Sequence, residues 1–438
     1  MTALAAQARI ERVVTRLRAR RIHVLGPAGT EGSAVIDFLI RHGITSITAH
    51  DLEPAERFAT TVARTHQWLD ERGRAELLAR LQAAPITWRW GPRYLEGLDA
   101  AEVIFVPQSW FRYPQNQPVH DAARRGVPLS SMTQLFFELW PGPVLGVTGT
   151  NGKFTVLTLI GAMLEAAGVP VVTSGNDRTH VPALLALDRA TPHTWLLLEI
   201  SNRQLVGLPY SPHVAVVTNV APHHLDDHGT FERYVDAKRT LVRHQTDHDV
   251  AVLNADDPVV AGFARATPAR VHWFSRRRVV RRGACVEGSH IVLAGRPSRF
   301  VFPATDLAVP GAHMVEDALA AAAAAAVVGV EPGVMARVLG AFRGLPYRFR
   351  LAGERDGVAF FEDSLGTNPS AAAAAIGAMD RPYHLIAGGL RKGARPTDFA
   401  PMIGAMAATP VKAAYLIGTT MPVLAEAIAS MASPPPVI

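Results

Sequence analysis

Cysteine is almost absent from this chain: Cys285 is the single one among 438 residues. One thiol forms no internal disulfide and builds no Cys-rich zinc site, so the composition suits a reducing cytoplasm. Long apolar runs are missing too. The longest, Ala318 to Val330, is alanine-rich and too short to span a bilayer, which predicts a tightly packed helix and no membrane partner. The opening stretch MTALAAQARIERVVTRLRARR has arginines throughout and no apolar centre, unlike a secretory signal. Acidic residues are fewer than basic ones, leaving a formal charge of +6 and a pI near 9.7. Arg276, Arg277, Arg278, Arg281 and Arg282 cluster, but no aromatics are interleaved among them for base stacking. They read as a solvated hairpin, and no nucleic acid is expected. The basic balance suits an anionic, multiply phosphorylated small molecule.

What is present is a globular composition, 48% hydrophobic and 19% charged, in a chain long enough for two or three domains. Its organising stretch is GVTGTNGKFTV, 146–156, set between the apolar run Pro143–Leu145 and the apolar-periodic run Leu157–Ala167. Strand, glycine-rich turn and helix is the context of a phosphate-binding loop. Gly146, Gly149 and Gly152 let the backbone bring N–H groups toward an anion at the positive end of the helix. Lys153 then reaches the outer phosphates of a nucleotide. The position after that lysine ordinarily carries Ser or Thr on Mg²⁺, yet here it is Phe154. Thr155 is next, but one residue along a helix turns the side chain by about 100°.

Upstream, RIHVLGPAGTEGSAVIDFLIRHG predicts a strand at Arg21–Leu25, a turn at Gly26, Gly29 and Gly32, and a helix at Ser33–Arg41. A second strand, Ile44–Ala49, leads to Asp51. This is a Rossmann-type βαβ start, with a nucleotide diphosphate expected on the helix N-terminus. A strand at Glu102–Val106 follows, and WPGP at 140–143 marks a boundary. Beyond the loop, nearly all-apolar strands are expected at Val169–Thr173, Leu196–Leu198, His213–Thr218 and Asp249–Leu253, with polar residues at their carboxyl ends. Runs without alternation predict a parallel sheet covered on both faces. A second boundary lies near FRGLPYRF, 342–349. Strands at Gly357–Phe361, His384–Ala387 and Lys412–Ile417 follow, before the sequence stops at Ile438. The expected domains are 1–142, 143–345 and 346–438, the last looking incomplete for a doubly wound unit.

Glu199 ends a buried strand beside the phosphate loop, where a Mg²⁺ ligand belongs, although a lone carboxylate there also serves as a cap or ion-pair partner. HHLDDH, with His224, Asp226, Asp227 and His228, has ligand chemistry and is equally typical of solvated loops. Lys238, in YVDAKRTLV, reads by residue type alone as a helix-surface lysine.

Taken as a set, these motifs resemble the Mur ligase family. GVTGTNGKFTV, LEISNRQL (198–205), HHLD with YVDAK, NADD, GAHMVEDALAA (311–321), GLPYRF, EDSLGTN and IAGGLRKG follow in the family's order, from about residue 21 to 418. The glycine-rich N-terminal unit, and GLPYRF followed by DSLGTN, are most similar to the glutamate-adding branch. The resemblance implies an α/β fold of three domains: a Rossmann-like UDP-binding domain, a central P-loop ATPase-like parallel-sheet domain that binds ATP, and a Rossmann-like glutamate-binding domain. It implies an ATP-dependent ligase of peptidoglycan synthesis, cytoplasmic and monomeric. That ligase would join glutamate, the D isomer, to UDP-N-acetylmuramoyl-L-alanine through an acyl phosphate. The alternatives are an L-glutamate-adding relative and a nucleotide-binding relative without catalysis.

By the same resemblance Gly149, Thr150, Asn151, Gly152, Lys153, Thr155, Asp317, Arg348 and Asp363 would meet ATP. Glu199 and His224 would each hold one of two Mg²⁺ ions, and Lys238 would act as a carbamate. Thr30 and Asp51 would serve UDP, Asn176 and Ser201 the sugar peptide, and Thr367 and Lys392 the glutamate. Lys153, His224 and Lys238 would carry the catalysis. The sequence departs from the family pattern at Phe154, at Met314 and Asp317 (asparagines expected), at Leu365 (lysine expected) and at His223 (an acidic residue expected). The family's last segment, a Ser-Pro-rich loop that closes on glutamate, has no counterpart here.

Overall fold

The computed structural model describes residues 3–175, 181–223, 225–295, 301–390 and 394–438. Strands β1 (Ile22–Leu25), β2 (Ile47–Asp51), β3 (Ile86–Trp90), β4 (Val103–Phe105) and β5 (Leu129–Ser130) form a sheet ordered β3-β2-β1-β4-β5. All its pairings are parallel. The helix Thr30–Arg41 packs on it through Val35, Phe38 and Leu39. It enters from a tight turn at Gly26, where φ is +67°. A Cβ on Gly32 would lie 2.7 Å from the Gly26 carbonyl carbon, so only glycine lets the helix start this close to the loop.

The second sheet contains β6 (Val144–Thr148), β7 (Val171–Ser174), β8 (Trp195–Glu199), β9 (Val214–Val217), β10 (Val250–Asn254), β11 (Arg270–Ser275), β12 (Gly283–Glu287), β13 (His290–Ala294) and β14 (Val301–Pro303). Its order is β14-β13-β12-β11-β10-β9-β6-β8-β7, parallel from β7 to β12 and antiparallel at the β12–β14 edge. The all-apolar strands feed two cores at once. Leu197, Val216 and Val252 point into one, beneath the helices Lys153–Ala166 and Ala312–Val328. Leu198, Val217 and Leu253 point into the other, with Tyr234 and Leu241 of the helix Phe231–Arg243. Side chains alternate along a strand, so burial on both faces removes the polar half of the pattern. The alanine run 320–326 is buried throughout, letting its helix pack close to the sheet.

Two smaller sheets follow: an antiparallel hairpin of β15 (Arg350–Arg355) and β16 (Val358–Glu362), and a parallel pair of β17 (Tyr383–Gly388) and β18 (Val411–Ile417). Helices Ala400–Ala407 and Met421–Ala429 cover one face of the pair, with Met402, Met406, Leu424 and Ile428 buried. Ile386, Tyr415 and Ile417 stand exposed on the other.

Two readings of the sequence need correction. The arginine cluster is not a hairpin, because β11 and β12 run parallel. Their ladder, Trp273–Ser275 against Gly283–Cys285, is short enough for residues 276–282 to make the return. Gly146 is not a loop glycine. It lies inside β6, where a Cβ would press on Pro212 Cγ at 3.0 Å and Ile200 Cδ1 at 3.1 Å.

Candidate active site

At the carboxyl ends of β6, β8 and β9 lies a cleft of roughly 1360 Å³, counting its open mouth. Its floor is the loop 149–152. Gly149 presses on Thr218, whose Cβ would lie 3.1 Å from an added methyl. Gly152 is left-handed at φ +81° and starts the helix Lys153–Ala166. The β9 end clamps the loop. Thr150 N donates to Asn219 O at 2.8 Å, Asn151 N to Asn219 Oδ1 at 2.9 Å, and Thr218 Oγ1 to Asn151 O at 2.6 Å. Thr150 Oγ1 also lies 3.1 Å from the Tyr234 hydroxyl. Thr150 and Asn151 spend their own N–H groups on this clamp, and a loop held this firmly presents those at the start of the helix Lys153–Ala166 without needing to reorganise around an anion.

Two lysines converge on it. Lys153 Nζ donates to Gly149 O at 3.1 Å and Thr150 O at 3.2 Å. Lys238 Nζ donates to Gly149 O at 2.7 Å and lies 4.9 Å from the Tyr234 ring centroid. The residue-type expectation for Lys238 fails here, because it is among the largest fully buried side chains. Burial, reinforced by the Lys153 charge and opposed by Glu199, holds its amine well below the ordinary lysine range. Burial also lowers Lys153, with Glu199 opposing and Arg348 adding to the shift. Glu199 is thus the carboxylate that both ammonium groups face.

The rest of the wall comes from distant segments. Thr155, Asp317, Arg348, Asp363 and Thr367 all line the cleft with the loop and Glu199. Burial pushes the Asp317 carboxyl well above its usual range, Glu316 adding to the effect and Arg348 opposing it. Asp363 accepts from Phe349 N at 3.1 Å and is raised by burial. Asn368 caps the helix Pro369–Ile376 and donates from Nδ2 to Asn151 Oδ1 at 3.2 Å, across the cleft. Asn202, Asn219, His223, His313 and Asn368 also line the cleft, and the sequence reading gave none of them a role. Asn-Pro at a helix start is the signal that marks Asn368.

Ser201, Thr30 and Asp51 lie elsewhere. Ser201 caps the helix Asn202–Leu205 and donates to Gln108 Oε1 at 2.8 Å. Glu31 joins this contact, accepting from Gln108 N at 2.6 Å and Gln204 Nε2 at 3.4 Å, which ties the first sheet's rim to the second's. Burial raises its carboxyl. Thr30 donates to Thr65 O at 2.9 Å. Asp51 accepts from Ala28 N at 3.3 Å and Glu53 N at 3.0 Å, bracing the turn after β1. Asn176, His224 and Lys392 fall outside the described residues.

The donor set can be tested against a metal. Among the described residues no three His, Cys, Asp or Glu side chains gather closely enough to hold one unaided. Mg²⁺ asks for less: one or two carboxylates, with phosphates and waters completing the shell. Glu199 beside the phosphate loop fits an ion carried in on a nucleotide, and Phe154 supplies nothing to it.

Residues 147–325 match the Mur ligase middle domain. Over 411 residues the chain is 34% identical to the UDP-N-acetylmuramoylalanine–D-glutamate ligase of Pelotomaculum thermopropionicum, spanning 93% of this chain and 84% of that relative. The chain belongs to the Mur ligase family. A second such ligase, from Symbiobacterium thermophilum, is 36% identical over 405 residues, 91% of this chain and 83% of its own. Dependence on ATP and Mg²⁺ is typical of the family. Solved structures match the fold. A pseudomurein peptide ligase type C from Methanothermus fervidus aligns with TM-score 0.57 at 19% identity, covering 96% of this chain and 88% of that one. UDP-N-acetylmuramate-alanine ligase from Thermotoga maritima aligns with TM-score 0.55 at 16% identity, covering 96% and 90%.

Proposed function

We propose that this chain joins D-glutamate to UDP-N-acetylmuramoyl-L-alanine with hydrolysis of ATP to ADP and phosphate, in the cytoplasm, as a step of peptidoglycan synthesis. Family membership over most of the chain supports the reaction class. The observation that carries the chemistry is the convergence of Lys153, Lys238 and Glu199 on the Gly149–Gly152 loop.

The reaction has two displacements. A carboxylate oxygen of the sugar peptide attacks the γ-phosphorus, and the bond from phosphorus to the β-bridging oxygen breaks, releasing ADP. The glutamate amine then attacks the acyl carbon, the acyl–oxygen bond breaks, phosphate leaves, and the amine loses a proton. Both steps develop charge on oxygens, so positioning and preorganised cations carry the catalysis. Lys153 and the N–H groups at the start of its helix receive the phosphates. Asp317, Arg348 and Asp363 complete the ATP site with Thr150, Asn151 and Thr155. Glu199 and His224 would each hold one of two Mg²⁺ ions, which would supply screening of the phosphate charge. The Lys238 amine, which burial holds well below the ordinary lysine range, would add through its nitrogen to the carbon of CO₂ and lose a proton, and the resulting carbamate would offer a hard cation an anionic oxygen beside Lys153. Thr30, Asp51, Asn176 and Ser201 hold the UDP-sugar peptide, and Thr367 and Lys392 hold glutamate. The chain divides near 142 and 345, with the nucleotide between the second and third units.

Phosphate release is the test, with ATP, Mg²⁺, UDP-N-acetylmuramoyl-L-alanine and either glutamate isomer. Release with D-glutamate is expected, falling about a hundredfold or more in Lys153→Ala. Turnover only with L-glutamate would replace the substrate assignment. No turnover with either isomer, despite ADP binding, would make the chain a nucleotide-binding relative.

A further inference from the structure

Phe154 occupies the position where a phosphate loop ordinarily offers a hydroxyl to Mg²⁺. Its ring is not turned away from the site. It lines the cleft, and the Arg348 guanidinium lies over its face, 5.8 Å from the centroid. A guanidinium within about 6 Å of an aromatic face is attracted to it, more strongly where water is excluded.

The backbone that delivers Arg348 is unusual. Tyr347 and Phe349, on either side, have φ of +63° and +35°. Left-handed backbone costs free energy for residues with a Cβ, and it persists only where the surroundings over-determine it. Here they do. Leu365 N donates to Tyr347 O at 3.0 Å, Phe349 N donates to Asp363 Oδ1 at 3.1 Å, and the Phe349 ring stacks on Phe361 at 5.2 Å. The outcome is a braced backbone carrying a guanidinium whose Nε is buried and has no hydrogen-bond partner among the described residues. A buried donor left without an acceptor is costly, and a ligand oxygen in the cleft would relieve it.

We infer that Phe154 is a positioning residue: its ring seats the Arg348 guanidinium beside the phosphate loop. The chain thereby meets nucleotide charge with a fixed protein cation where other loops rely on a hydroxyl-held metal. The inference rests on the ATP reading above and adds a consequence to it. Nucleotide binding here depends less on Mg²⁺ than in a loop with Ser or Thr after the lysine.

Calorimetric titration of ADP into the full chain, with Mg²⁺ and with EDTA, tests it. Wild type binds in both conditions. In EDTA, Phe154→Leu weakens binding roughly three- to thirtyfold, while Phe154→Tyr, which keeps the ring, stays within about twofold. Arg348→Lys, which leaves the ring in place, weakens binding by a similar factor, and the double variant F154L/R348K loses no more than the larger single loss. In turnover, Phe154→Leu raises KM for ATP more than it lowers kcat. Wild-type affinity in Phe154→Leu, or losses that simply add, would overturn the inference while leaving the ATP reading intact. If Phe154→Leu does not fold, the Arg348→Lys and Phe154→Tyr titrations decide alone: unchanged affinity in Arg348→Lys overturns it. Absence of ADP binding by wild type in both conditions would instead remove the ATP reading.

Discussion

Gly152→Ala is the sharpest perturbation the loop offers, because two separable costs meet at one position. Gly152 has φ +81°, and a Cβ there would lie 3.1 Å from Asp317 Cγ and closer still to Oδ1. The left-handed backbone alone costs an L-residue about 1–2 kcal/mol. The second cost depends on whether Asp317 can yield. Its side chain is short and starts from a buried helix whose next residues, Ala318 to Ala325, have no accessible surface, so the helix cannot retreat. Forced overpacking of this kind adds about 1–3 kcal/mol. The other end of the helix that Gly152 starts supplies the control. Gly168 follows the C-terminus of the helix Lys153–Ala166 with φ +73°, and an added methyl would meet nothing within 4 Å. Gly168→Ala should therefore cost the backbone share only, about 1–2 kcal/mol. Urea unfolding followed by tryptophan fluorescence would rank the variants, with ADP titration alongside. Gly152→Ala should be the less stable of the two and should also bind ADP more weakly, since the strained residue is in the loop itself. Adding Asp317→Ala to Gly152→Ala should recover stability relative to the sum of the single effects. Equal midpoints for Gly152→Ala and Gly168→Ala, or strict additivity with Asp317→Ala, would refute the claim that loop and helix interlock at this point.

Asp317 also makes the protein's stability depend on pH in a definite direction. Its carboxyl is raised well above the ordinary value in the folded state, so the fold favours the protonated form. That contribution is fully present below the unfolded value and is lost as pH rises through the folded one. Asp317→Asn should therefore be more stable than wild type at neutral pH, with the gap closing as pH falls toward 4, as urea midpoints across the range would reveal; a gap independent of pH contradicts the assignment. Asn368→Ala removes both a helix cap and the contact to Asn151. It should cost about 1 kcal/mol of stability and raise KM for ATP, and an unchanged KM would separate the cap from the cleft.

The strand–loop–helix units were readable in the chain because their signals are local. Glycines at 26 and 32, the Gly-Lys of the loop and the apolar strand runs each act within a few residues of themselves. The edge strands β12–β14 were not legible. Gly283–Glu287 and His290–Ala294 follow the arginine cluster, and their place in the sheet comes from pairing with β11, which no short window contains. Gly146 failed for a related reason. A glycine needed for turning and one needed for packing look identical until Pro212 and Ile200 arrive from elsewhere in the chain.

Order and type of residue alone marked a glycine-rich loop between strand and helix, with Lys153 at its end, and the Mur ligase pattern along the chain. Folding alone decided which side chains share that loop. Lys238 is a surface-type residue by composition, yet it is buried 89 positions away in sequence with its amine on the Gly149 carbonyl. Arg348 meets Phe154, and Asp317 meets Gly152, only because the chain returns twice to the carboxyl ends of the same strands. Charge burial and close contact are properties of neighbours in space, and a linear pattern specifies neighbours in space only where they are also neighbours in sequence.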